Sequence, residues 1–475
     1  MNTPAGAGLS VTRLFIDPAL SAAPCITAVI RQIGFVITDD ISDADVYVGE
    51  RPVEQKLSLC AGSTFGVNGR VGTFDRALIL SLWHYGRAAQ RVDCLGKSFT
   101  VHADYQNKSN TLRLCAITLF RLLSSNGYDA RFLWWFPNGA RGAVNYRVDV
   151  DDGAERSLDK VAKILESHAS WCSIYYCTSH FVKNYSIISG TQRAGAEVGS
   201  HCHYHYTFER DPITNKKNSQ KSIRFLRENG IDVRGLVMPS GKSFPGIGNV
   251  LCDNSLSYTS NFGFIFDALP IEVRHGSVSH LEVPIHPVAP GNVIKASPSL
   301  AGLDDYLKSY YMATAIRLTE AFLPVFFYGH NNDTMHLALL PGLLDMLAVA
   351  LPDHAFVRLD EYAAFWRGRL NRLVNWRQPH DGGNVAIIRH QAPDEVHVRG
   401  AARDHTWPLS LDTLFQSPLA FSGEGMRKPR LRDRLADRYE LETVLPVSAL
   451  SLKSYQGWKS AGYKVARRLI RALFR

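Results

Sequence analysis

The chain has 475 residues, of which 45% are hydrophobic and 20% charged. That length exceeds one ordinary core and calls for two or three units, one of which can be a large α/β barrel, while the apolar content excludes a disordered chain. The formal net charge of +9 suits an acidic partner such as lipid phosphate, acidic glycan or nucleic acid, without choosing among them.

The opening stretch MNTPAGAGLSVTRLFIDPAL has no basic segment followed by an unbroken apolar run, so no cleaved secretory signal is expected and the cytoplasm is the expected location. Residues 12–49 read as a short βαβ pattern: TRLFI is apolar, ITAVIRQIG has helical spacing, and GFVIT and ADVYVG return to strand character. A small N-terminal α/β domain over 1–135 follows. Within it, NTLRLCAITLFRLLSSNG predicts an amphipathic helix that starts at Asn110 or Thr111 and ends at Gly127, and RFLWWFP is expected to lead into the next unit.

From Gly142 to about residue 370, strand-like YRVDV, CSIYYCTS and RGLVMP alternate with helix-like SLDKVAKILESH and KKNSQKSIRFLRENG. Such alternation predicts parallel strands with crossover helices, in a barrel or an open sheet. Short β-like runs, NVAIIRH and DEVHVRG, then predict a β-rich accessory region over 371–455. The tail 456–475 patterns as a basic amphipathic helix: Trp458, Val465, Leu469, Ile470, Leu473 and Phe474 fall on one side and Lys464, Arg467, Arg468, Arg471 and Arg475 on the other. That suits an anionic membrane surface as well as a helix docked on its own domain. No segment is apolar enough to span a bilayer. The eight cysteines form no CxxC pair, which argues against a disulfide framework and predicts mostly buried thiols. Nucleic-acid binding is not expected, because basic residues gather at the C-terminus without an aromatic-interleaved motif.

Three clusters carry chemistry. In YRVDVDDG, Asp149, Asp151 and Asp152 sit at the end of a predicted strand and repel one another unless a cation, a proton or hydrogen bonds offset them. In EVGSHCHYHYTF, His201, His203 and His205 fall within five residues, a density that favours metal ligation; His203 is expected to point away. In FFYGHNND, an apolar strand-like run ends at His330. Tyr204, Tyr206 and Trp366 are aromatic candidates for stacking on sugar rings, although core packing suits Trp366 better.

The acidic motif after a first strand, then EVGSHCHYH, then VMPSG after a helix, then FYGH, resembles in order and spacing the polysaccharide deacetylase family, carbohydrate esterase family four, over residues 140–370. EVGSHCHYH is similar to that family's Glu-Ile-Gly-Asn-His-Thr-x-x-His signature, with Cys202 in the Ser/Thr place. The resemblance implies a distorted (β/α)7 barrel with a divalent metal, zinc first and cobalt, nickel or iron as alternatives. It implies His201 and His205 as metal ligands and His330 as general acid. For the carboxylates it implies Asp149 as base with Asp151 as ligand or, alternatively, Asp151 as base with Asp152 as ligand. A backbone N–H near Ser240 would serve the oxyanion. The implied activity is hydrolytic removal of an N-acyl group from an amino sugar, on a glycan or lipid-linked saccharide at the inner membrane face. The alternative is a catalytically silent glycan-binding or assembly protein on the same fold. One departure favours that alternative: the family's Arg-x-Pro-Tyr-Gly arginine has no counterpart in VMPSG, which offers Met238 two residues before Ser240, so Arg147 or Arg234 would have to orient the base.

Overall fold

The computed structural model describes residues 11–419 except 95–96, 154–157, 160, 163–164, 209–210, 245, 276–277, 297–300, 333, 377–383 and 400–403. The predicted basic helix over 456–475 therefore lies outside the described residues.

The N-terminal βαβ pattern forms as read. Strands β1 (Arg13–Ile16), β2 (Val36–Thr38), β3 (Val46–Gly49), β4 (Leu57–Gly62), β5 (Gly66–Asn68) and β6 (Val71–Asp75) make a sheet ordered β2-β1-β3-β4-β6-β5. All its neighbours are parallel except β5 and β6. The helix Ala23–Ile33 crosses from β1 to β2 and stops at Gly34, whose φ of 113° lets its N–H reach the Ile30 carbonyl. Only glycine fits there: a Cβ would lie 2.3 Å from Arg369 Nη2.

A hairpin of β7 (Arg87–Cys94) and β8 (Lys97–Asp104) leads to the helix Lys108–Ser125. This helix begins before Asn110, where the sequence pattern placed its start. The cause is a buried ion pair: Asp104 lies 2.7 Å from Lys108 Nζ and also accepts from the Lys108 backbone N–H, which draws the first turn back. RFLWWFP, expected as a connector, contains the strand β9 (Ala130–Leu133). Its side chains Phe132, Trp134 and Trp135 stack into the core with the two indoles 4.8 Å apart.

The central sheet holds β10 (Gly142–Val150), β11 (Cys172–Tyr176), β12 (Glu197–Ser200), β13 (Gly235–Leu236), β14 (Tyr258–Thr259), β15 (Ile271–His275), β16 (Val278–Glu282), β17 (Val325–His330) and β18 (His354–Phe356). Its order is β15-β16-β14-β13-β12-β11-β10-β17, with β18 also on β10, and every pair is parallel except β15 with β16. Every residue of β10 is buried, as expected of a strand covered on both faces. Among the described residues no pairing joins the two ends of this path, so the closed (β/α)7 barrel expected from the sequence is not found. The edge that would have to meet β17 is taken by the antiparallel β15–β16 hairpin, and β15 packs on the helix Ala23–Ile33.

The short apolar runs after residue 370 form β19 (Val385–Arg389), β20 (Ala392–Arg399) and β21 (Asp404–Pro408), an antiparallel sheet ordered β21-β20-β19-β9. One apolar core runs through the central sheet and the helices on it. Arg369 ties the helix Leu359–Val374 to the N-terminal part by donating to the carbonyls of Arg31, Gln32, Leu133 and Trp134 while lying over the Trp366 ring. Trp366 is thus a core residue. Among the described residues no helix is long and apolar enough to cross a membrane. Cys25, Cys60, Cys115, Cys172, Cys177 and Cys202 are buried free thiols, and Cys252 is an exposed one.

Candidate metal centre

Parallel strands present their C-terminal ends together, and the three sequence clusters meet there. The register aligns Asp149 on β10 with His330 on β17 and Tyr175 on β11, and Tyr176 with Ser200 at the end of β12. Asp151 follows β10 by one residue, and His201 follows β12.

Asp151, His201 and His205 each point one ligand atom into a common space, all within 4.8 Å of one another. Asp151 Oδ1 lies 3.3 Å from His201 Nε2 and 3.1 Å from His205 Nε2. Despite that distance, Asp151 Oδ1 and His201 Nε2 are buried atoms without a hydrogen bond of acceptable geometry. Both atoms therefore keep unused hydrogen-bonding capacity in a space they share with His205 Nε2, which a further partner there would use. The His201 tautomer fits: its Nδ1 lies 3.0 Å from the Val237 carbonyl, which can only accept, so in the neutral ring Nε2 carries the lone pair.

The backbone between the two ligands is built for this turn. Cys202 takes a left-handed φ of 66°, and its thiol packs 3.6 Å from both Ser219 Oγ and Met238 Sδ. His203 points away, with Nδ1 3.0 Å from Thr178 Oγ1, and burial pushes its pKa down to about 4. Gly199 in the same motif makes room for a neighbour: a Cβ there would lie 2.2 Å from the Tyr175 ring.

Burial alone would raise the Asp151 carboxyl, but the adjoining His201 and His205 imidazoles outweigh it and hold it well below the usual range. His201 shows the converse: burial lowers it, and the Asp149 and Asp151 carboxylates more than restore it. His330 is lowered by burial against the pull of Asp151 and Asp149, and its ring stands edge-on to Tyr328 at 5.5 Å.

The remaining candidates take other places. Asp152 is not in the convergent group; its carbonyl accepts from Asn331 Nδ2 at 3.0 Å. Ser240 is exposed with φ 62° in the turn after Met238. Tyr204 and Tyr206 stack at 6.1 Å beside His205, with Lys221 Nζ 5.3 Å from the Tyr204 ring centre. Arg234 pairs with Asp232 at the surface. Arg147 is wholly buried against Asp149.

Two residues that sequence reasoning missed shape the site. Asn331 accepts from the Asp151 backbone N–H through Oδ1 at 3.0 Å and donates to Asp152, so it sews the acidic loop to the end of β17. Its only signal is its place directly after His330. Ser260, in YTSNF, gives Arg147 a carbonyl acceptor at 2.8 Å. Nothing in its type or spacing pointed there.

The donor set, two imidazole nitrogens and one carboxylate oxygen with two of the three atoms buried and unpartnered, fits a divalent metal of the zinc, cobalt, nickel or iron class.

No family model matches the chain, and no curated protein matches it. Among solved structures, polysaccharide deacetylases and CE4 family members are neighbours at low identity over about half of the chain. A probable polysaccharide deacetylase from Pseudomonas aeruginosa PAO1 is 15% identical over 49% of this chain and 93% of its own, with a TM-score of 0.42. A family 4 carbohydrate esterase from Streptomyces lividans, solved in complex with acetate, is 15% identical over 46% of this chain and 92% of its own, at 0.32. A CE4 family pseudoenzyme from Bacillus anthracis is 14% identical over 46% of this chain and 65% of its own, at 0.34.

Proposed function

We propose that the chain is a metal-dependent N-deacetylase that hydrolyses the acyl amide of an amino sugar in a glycan or lipid-linked saccharide. The observation that carries this is the convergence of Asp151, His201 and His205 on one point, with buried lone pairs left over, beside Asp149 and His330. Asp151, His201 and His205 hold the ion in this proposal. A bound divalent ion there would lower the pKa of a water and polarise the acyl carbonyl.

The chain's own groups do the rest. Asp149 accepts the proton of the attacking water, a backbone N–H near Ser240 donates to the developing oxyanion, and His330 delivers a proton to the departing amine so that the C–N bond breaks. Each proton-transfer group contributes on the order of 10²- to 10⁴-fold in rate. Tyr204, half-buried and next to His205 in the chain, is the aromatic side chain proposed to meet a sugar ring.

The proposal extends to the organisation of the chain, with a deacetylase unit at 140–370 between the 1–135 domain and the 371–455 region. It also gives the basic tail 456–475 an anionic inner-membrane surface as partner, tested by comparing pelleting with anionic liposomes before and after deletion of 456–475. The test of the activity is zinc-dependent acetate release from a panel of N-acetylated oligosaccharides, lost on chelation and in Asp149→Asn. Stoichiometric zinc binding with no acyl group released from any member would overturn the deacetylase and favour the silent glycan-binding alternative.

A further inference from the structure

A carboxylate that accepts a proton must be held still with one lone pair kept open, and the surroundings of Asp149 meet both needs. Arg147 precedes it by two residues on β10, and the strand's alternation puts both side chains on one face. Arg147 Nη2 donates to Asp149 Oδ2 at 3.0 Å, and Nε lies 2.9 Å from Oδ1. Nε and Oδ1 are nonetheless misaligned for a hydrogen bond. The guanidinium therefore anchors one oxygen, neutralises the pair, and leaves Oδ1 with acceptor capacity.

The arginine is itself caged. Nη1 donates to the Ser260 carbonyl at 2.8 Å and lies 3.1 Å from the Ser260 hydroxyl oxygen. The Tyr328 and Tyr175 rings lie with their centres 5.0 and 5.8 Å from the guanidinium carbon. Tyr175 is fixed in turn by hydrogen bonding to Glu197 and Tyr258, over the space that Gly199 leaves. A flexible cation on the surface would have no such enclosure, and Arg234, the other candidate, is such a cation. At the VMPSG turn, Met238 is packed behind the ligand loop against Cys202 and carries no charge.

We propose that Arg147 is the positioning residue for Asp149, supplying from the same strand the orienting charge that the resemblance places on a separate loop, with Ser260, Tyr175 and Tyr328 as its cage. This rests on the deacetylase reading of the site. Arg147 touches neither ion nor substrate in this role and acts only through Asp149.

The test uses the full chain with zinc and the N-acetylated oligosaccharide panel, comparing wild type, Asp149→Asn, Arg147→Lys and Arg147→Ala. Arg147→Lys keeps the charge and loses the fork, so kcat falls by about 10- to 100-fold while KM and zinc affinity stay within about threefold. Added guanidinium ion restores about tenfold of the activity lost by Arg147→Ala. Should Arg147→Ala not fold, Arg147→Lys and Asp149→Asn carry the comparison. A wild type and an Arg147→Lys of equal kcat, with Asp149→Asn inactive, would overturn this inference alone. Lost activity matched by an equal loss of zinc would do the same. A wild type that binds zinc and releases no acetate would overturn the deacetylase reading and this inference with it.

Discussion

Among the described residues, two buried clusters that join histidine to aspartate end differently. In one, His286 Nδ1 lies 3.0 and 3.2 Å from the two Asp267 oxygens, its Nε2 lies 2.7 Å from the Tyr310 hydroxyl, and Ser417 donates to Asp267. Both nitrogens and both oxygens are satisfied, and the cluster pins the helix Leu303–Glu320 and the segment at Ser417 to the sheet. In the other, Asp151 Oδ1 and His201 Nε2 approach to 3.3 Å and bond to nothing. Residue type and burial are shared; what separates a strut from a receptor is whether the lone pairs are used up.

The comparison breaks or sharpens at three points. The largest effect is expected at the open cluster: Asp151→Ala or His201→Ala should weaken zinc binding by on the order of 100-fold or more, read by competition with a chromogenic chelator, because even indirect partners of metal ligands cost about 10- to 100-fold. His286→Ala should leave zinc affinity unchanged, and a loss there would erase the distinction. Next comes stability. His286→Ala strands the Asp267 carboxylate in the core and should cost about 3–5 kcal/mol in urea unfolding, whereas a cost under about 1 kcal/mol would show that the closed cluster is no strut.

The smallest effect concerns a histidine with no carboxylate beside it. His354 has Nε2 2.9 Å from Thr319 Oγ1 and Nδ1 unpartnered, and burial, helped by Arg141, pushes its pKa down to about 4. Between that value and the unfolded value of about 6.5 the unfolded chain binds the extra proton. The stability due to the neutral ring is therefore complete above about pH 6.5 and is lost as pH falls toward 4. A loss of about 1–2 kcal/mol between pH 7 and pH 5 is expected from this group. His354→Gln should flatten that part of the pH–stability curve, and an unchanged slope would contradict the assignment.

Much of the architecture was legible because it rests on local pattern. The βαβ start, the parallel strands of the central sheet and the helical run KKNSQKSIRFLRENG follow from apolar and strand–helix patterning, although the helix itself is Pro212–Glu228, started earlier by Asp211, which accepts from the Thr214 N–H. What was not legible depends on distant partners. Nothing in RFLWWFP says that it pairs with Val385–Ile388, and nothing in the strand–helix alternation says that the β15–β16 hairpin occupies the sheet edge. The helix start at Lys108 shifted because a buried ion pair outweighed local capping. At the site, the density of histidines made His201 and His205 visible, and their spacing left His203 outside. The choice between Asp151 and Asp152 in the convergent group needed Asn331, whose bonds to both fix the loop. Arg147 was legible as one of two candidate arginines, and its bonds to Asp149 and Ser260 show that it, not Arg234, meets that carboxylate.

The most direct measurement is a crystallographic anomalous-difference map at the zinc absorption edge on zinc-loaded protein. The account predicts one strong peak about 2.0–2.2 Å from Asp151 Oδ1, His201 Nε2 and His205 Nε2 together. A peak bound elsewhere, or none at full zinc loading, would contradict it.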